Sequence, residues 1–173
     1  MAENGVVPGD ALLHPALVLA IGLLILNDQV LKQAWPSWWT GKISDFCGLL
    51  FFPLVLQALW EVLQGMRRPW RLWWPSLRTL RIATLATGAV FAAVQLWPPA
   101  SEGYRVILGW LQWPFGLVAA LFGGAPVPVP HRVALTPDPT DLIALPALVA
   151  AYLVGRTRID SAQRHGADGA PDA

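Results

Sequence analysis

The sequence predicts an all-α bundle of membrane-spanning helices, with four crossings and one further re-entrant or interfacial helix, and three observations lead there. Of its 173 residues, 55% are hydrophobic and only 13% are charged, against about 25% charged in an ordinary soluble domain. That leaves too little charge to coat a water-facing surface. The apolar residues come in runs near the length needed to cross a hydrocarbon core about 30 Å thick, which takes about 20 helical residues at about 1.5 Å each. Ten Trp fall mostly where these runs end, at the depth where the indole ring meets hydrocarbon and its N–H meets headgroups.

The first run, Leu12 to Leu31, reads as a span. Its last turn carries Asn27, Asp28 and Gln29 with Lys32 just beyond, so that end must meet water or protein rather than lipid. Met1 to Asp10 has no Lys or Arg and carries Glu3 and Asp10, the reverse of a basic signal-peptide leader, so the run is expected to persist in the mature protein. The segment Ala34–Gly41, with three Trp and one Pro, reads as an interfacial turn. A second span follows from Ile43 to Leu63, with Pro53 removing one helical hydrogen bond near its middle. Arg67, Arg68, Arg71, Arg78 and Arg81 then mix with Trp70, Trp73 and Trp74, as in a stretch lying on a headgroup surface. The third span runs from Leu80 to Trp97 and stops at Pro98–Pro99. Tyr104 to Phe122 is apolar enough to cross, but it contains Pro114 and leads into the Gly- and Pro-rich stretch 123–130. The last span is expected over residues 141–156, and the polar tail 159–173 is expected to be disordered.

Arginine and lysine favour the cytoplasmic side. With four crossings, eight of the twelve basic residues share one side: the loop Arg67, Arg68, Arg71, Arg78 and Arg81, and the tail Arg156, Arg158 and Arg164. Lys32, Lys42, Arg105 and Arg132 lie opposite; a fifth crossing evens the tally to six against six. Four crossings with both termini cytoplasmic is therefore the expectation, which makes Tyr104 to Phe122 the non-crossing helix.

That topology gathers Asn27, Asp28, Lys32, Lys42, Ser44, Asp45, Asp138 and Asp141 at the extracytoplasmic ends of the spans as a candidate polar cluster. Asp28 and Lys32, four apart, and Lys42 and Asp45, three apart, could each share a helix face and neutralise one another. A plainer reading stands beside each. Asp138-Pro139-Thr140-Asp141 has the pattern of a helix start, with Asp138 as cap and Pro139 at the first position. Asp45 lies early in a helix, where an acid offsets the macrodipole, and Lys42 could snorkel to the headgroups. Asp28 resists the plain reading most, because an acid near a helix C-terminus is unfavourable unless a cation such as Lys32 compensates.

No zinc-protease, serine-hydrolase or phosphate-loop motif is present, and His14 and His131 lack ligand spacing. No cofactor or metal is therefore implied. The lone Cys47, inside an apolar run, reads as a packing residue that can form no internal disulfide. A net charge of +1 without a basic face excludes a nucleic-acid footprint. The lipid bilayer is the implied partner, and a homo-oligomer or a membrane partner stays open.

Three stretches in order resemble the VanZ-like family of small bacterial four-span membrane proteins. They are Ser44-Asp45-Phe46 at the start of the second span, Val94-Gln95-Leu96 closing the third, and Asp141-Leu142-Ile143-Ala144 opening the last. The family's histidine after the first acid and the acid before its glutamine are absent, and Tyr104 to Arg132 is extra. The resemblance implies a bacterial inner-membrane location and a non-enzymatic envelope role. Two other functions remain open: a membrane-embedded enzyme acting on a lipid or lipid-linked substrate through Asp28, Asp45 and Asp141, and a small proton- or cation-coupled carrier subunit using Asp28.

Overall fold

The computed structural model describes residues 8–35, 37–67, 75–123 and 126–168. The expected headgroup stretch Arg68–Trp74 and the last five tail residues lie outside them. Among the described residues, five helical segments are long and apolar enough to cross a membrane: α1 (Pro15–Ala34), α2 (Trp38–Arg67) as far as Met66, α3 (Leu77–Leu96), α4 (Pro98–Gly123), and Pro139–Arg164, which runs from a 3-10 turn into α5 (Ala147–Asp168). Among the described residues there is no strand, so an all-α, multi-pass membrane protein is what the chain forms.

Local chemistry accounts for the helix starts. Pro15 takes the first position of α1, where a missing N–H costs nothing, and His14 caps it by accepting from the Ala16 N–H at 3.2 Å. Ser37 and Thr40 close the first turn of α2 reciprocally: Thr40 Oγ1 donates to the Ser37 carbonyl at 2.8 Å and accepts the Ser37 N–H at 3.2 Å. Ser76 Oγ accepts the Thr79 N–H ahead of α3. Near its end, α1 passes through a π-helical turn at Asn27–Leu31, and such turns often mark functional positions.

Several boundaries differ from the sequence expectation. Trp38 and Trp39 begin α2 rather than belonging to a turn, and α2 continues to Arg67 with Pro53 inside it. The Tyr104–Phe122 segment belongs to a longer helix that starts at the Pro98–Pro99 pair, since proline is well tolerated in a first turn. Asp138 does cap, but what it caps is a 3-10 turn, Pro139–Ala144, and α5 begins only at Ala147. The largest correction concerns the tail. Ile159 to Asp168, expected to be disordered, continue α5, and Ile159 is a core residue. Its polar composition hides an amphipathic helix whose inward positions, Ile159 and Ala162, are buried.

The described residues fall into two compact units, one formed by residues up to Gly88 together with those from Ile143 onward, the other by Ala89–Leu142. The core of the first takes one side chain from each of four helices: Leu17 of α1, Leu54 of α2, Leu80 of α3 and Ile159 of α5. Two glycines let helices approach closely. A Cβ on Gly155 would lie 2.6 Å from Leu80 Cδ1 and 3.0 Å from Leu54 Cδ2, and one on Gly88 would lie 2.8 Å from Leu148 Cδ1. In those contacts Leu80 pairs with Gly155 and Gly88 with Leu148. The numbering runs in opposite directions, so α3 and α5 are antiparallel.

In the second unit α4 is accompanied by a returning extended segment, residues 126–138. Trp113 Nε1 donates to the Pro128 carbonyl at 2.7 Å, and the Val133 N–H donates to the Arg105 carbonyl at 3.2 Å. Between these points Gly109 is obligatory: an added Cβ would sit 1.8 Å from the backbone oxygen of His131.

Candidate functional site

Four of the expected polar residues form one connected group in the first unit. Asn27 is wholly buried at the start of the π turn. Its Nδ2 donates to the Thr40 carbonyl at 2.7 Å and to Ser44 Oγ at 2.8 Å, joining α1 to the start of α2. Ser44 in turn donates to Asp28 Oδ1 at 2.8 Å, and Lys32 Nζ lies 2.7 Å from the same oxygen. The cation that sequence spacing assigned to Asp28 is thus the one it uses. The Thr40 carbonyl can only accept, which sets the orientation of the Asn27 amide. Asn27 Oδ1 faces the other way, buried and without a hydrogen-bond partner. A buried acceptor left so costs about 1–3 kcal/mol.

Lys42 is only 4% exposed, with Nζ 5.0 Å from the centroid of the Trp38 ring. Of the two readings open for it, snorkelling does not fit this burial, which packs the side chain inside the protein rather than extending it to the surface. Asp45 lies three residues further along α2, half-buried.

Asp138 and Asp141 belong to the second unit, and there Gln95 organises them. Gln95 Oε1 accepts the Asp138 N–H at 3.0 Å while Nε2 donates to Asp141 Oδ2 at 2.9 Å. Asp138 also accepts from the Thr140 N–H and hydroxyl, each at 2.8 Å. Asp138 therefore caps, as its helix-start pattern predicts, while Asp141 is the partner of a buried glutamine, a contact the sequence pattern did not indicate. A second polar group in this unit joins Glu102 to Arg105 at 3.4 Å and to Arg132 at 2.6 Å.

The most buried ionic group in the first unit was not anticipated from the sequence. Glu61 of α2, 2% exposed, takes both terminal nitrogens of Arg158 of α5 at 3.0 Å each. Gln57 Nε2 donates to Glu61 Oε1 at 2.8 Å and the Gly9 N–H to Oε2 at 3.2 Å. Arg158 also pairs with Asp10, just ahead of α1. Gly9 holds φ +86°, a left-handed conformation that suits glycine, and so turns its N–H to the carboxylate. The signal was available: an acid inside an apolar span calls for a named partner, and Glu61 lies inside the second run.

His14 is committed to its cap, and among the described residues no group of three or more His, Cys, Asp or Glu could hold a metal ion. Cys47 is buried, in keeping with a packing role. No family model, curated protein or solved structure matches this chain.

Proposed function

We propose that this chain is a non-enzymatic protein of the bacterial inner membrane, VanZ-like in layout, which crosses four times with both termini cytoplasmic and alters envelope susceptibility to agents acting outside the membrane. The observation that carries the topology is the Asp10–Glu61–Arg158 cluster. It holds the start of α1, the end of α2 and the late part of α5 together, which supports one membrane face for all three. The antiparallel contacts of α3 and α5 agree. Whatever lies between those two helices must add an even number of crossings, and zero is the simplest. The face holding Arg158 then carries eight of the twelve basic residues, the bias that supports a cytoplasmic assignment.

The Asn27–Asp28–Lys32–Ser44 group then lies at the outer face. Its carboxylate accepts from a lysine and a serine, an arrangement that suits a shaped, charge-balanced surface better than a general base, which needs access to a substrate proton. The test is a deletion strain assayed for glycopeptide sensitivity and envelope-stress induction, complemented with the wild-type gene or with Asp28→Asn. Altered sensitivity restored by the wild type, with an unchanged lipid profile, is expected. Unaltered sensitivity and stress would remove the envelope role, and a changed lipid profile would favour an enzyme instead.

A further inference from the structure

The helix α4 has 26 residues and enough apolar character to cross, yet the even crossing count proposed above leaves no place for a fifth passage. We infer that residues 98–123 and 126–138 are the two arms of a lipid-inserted hairpin: α4 enters from the extracytoplasmic face, the segment 126–138 returns beside it, and the exposed apolar side of α4 is a lipid-contact surface. The inference rests on the proposed topology and adds to it an interaction surface with acyl chains as its partner.

The course of the chain comes first. Pro128 meets Trp113 and Gly116, His131 meets Gly109, and Val133 meets Arg105. The returning segment thus descends α4 toward its start, so both ends of the hairpin lie together, and Gln95 at the end of α3 holds Asp138 at its close.

Charge is divided accordingly. From Val106 to Pro130 there is no charged residue, while Glu102, Arg105 and Arg132 are joined at the base. An ion group at headgroup depth and an uncharged body and tip are what insertion from one face requires. Arg105 to Phe122 rises about 25 Å at about 1.5 Å per residue, short of a core about 30 Å thick.

Extended backbone is tolerated at that depth only where its polar groups are satisfied or covered by protein. Pro126, Pro128 and Pro130 bring no N–H into the bilayer. The Pro128 carbonyl takes the Trp113 indole proton, and nearer the base the Val133 carbonyl takes Arg105 Nε–H at 3.0 Å. Away from this segment, Ile107, Leu111, Val118 and Phe122 are all more than half exposed. A water-facing helix would carry charge there.

The experiment uses the full chain in phosphatidylcholine–phosphatidylglycerol vesicles with Cys47→Ala and single cysteines at Gln33, Gly103, Gly123 or Gln163. Gly103 and Gly123 have nothing within 4 Å of an added Cβ. An impermeant maleimide should label Gln33→Cys and Gly103→Cys from one face and Gln163→Cys from the other. A nitroxide on Gly123→Cys should collide more often with oxygen than with a water-soluble nickel chelate, and one on Gly103→Cys the reverse. Gln33→Cys and Gln163→Cys on the same face would overturn the four-crossing topology and this inference with it. Opposite faces with a nickel-accessible Gly123 position would overturn the insertion alone. Opposite faces with a label shielded from both reagents and broadened by a second spin would mean that another copy, not lipid, covers α4, and would also overturn it.

Discussion

Arg158→Met isolates the energetic role of the Asp10–Glu61–Arg158 cluster. The substitution keeps a long apolar stem and removes the guanidinium, so Glu61, 2% exposed, loses two of the four hydrogen bonds that its carboxylate accepts and its neutralising charge. Asp10 loses the same cation. Removing one partner of a buried pair costs about 3–5 kcal/mol, because the remaining charge stays desolvated, whereas an exposed pair is worth about 0–1 kcal/mol. At about 2–4 °C per kcal/mol for a chain of this length, the thermal midpoint in detergent, followed by tryptophan fluorescence, should fall by about 6–20 °C. The double variant Glu61→Gln/Arg158→Met, which leaves no unpaired charge at position 61, should be more stable than Arg158→Met alone. A midpoint within about 4 °C of wild type for Arg158→Met, the range of a surface pair, would refute the reasoning and weaken the case that this cluster fixes the end of α5.

Gly155→Val should destabilise the four-helix core by about 1–3 kcal/mol, since even the first added carbon meets Leu80 and Leu54; the same thermal assay reads it. Gly109→Ala should dislodge residues 126–138 from α4, because the clash is with backbone and no rotamer relieves it; faster amide exchange at Val133 than in wild type is the expected signal, and unchanged exchange would contradict the packing. Asn27→Ala removes the two hydrogen bonds that join α1 to α2, a loss of about 1–3 kcal/mol at about 0.5–1.5 kcal/mol each that should lower the thermal midpoint. Gln95→Leu removes the amide held by both Asp138 and Asp141, and a similar loss is expected.

The helices were legible because crossing hydrocarbon demands long apolar runs, and composition alone announces them. Asp28 and Lys32 were legible as a pair because a spacing of four residues determines proximity on one helix. Asn27 was legible only as a polar residue at a span end; that it reaches across to Thr40 and Ser44 depends on how α1 docks on α2. Glu61 and Arg158, 97 residues apart, carry no local signal of their pairing. Arg158 also stood at the margin of a polar tail, and a polar composition conceals a helix that buries one narrow face.

Hydrophobicity and helical periodicity, both properties of neighbouring residues, were enough to establish that this is a multi-pass helical membrane protein and roughly where each helix lies. Tertiary structure alone decided which helix ends meet: it joined Asp10, Glu61 and Arg158, brought residues 126–138 back along α4, and gave Gln95 to Asp138 and Asp141. Those contacts link residues far apart in the chain, and their partners are selected by packing and by the need to satisfy buried charge, which no short stretch of sequence encodes.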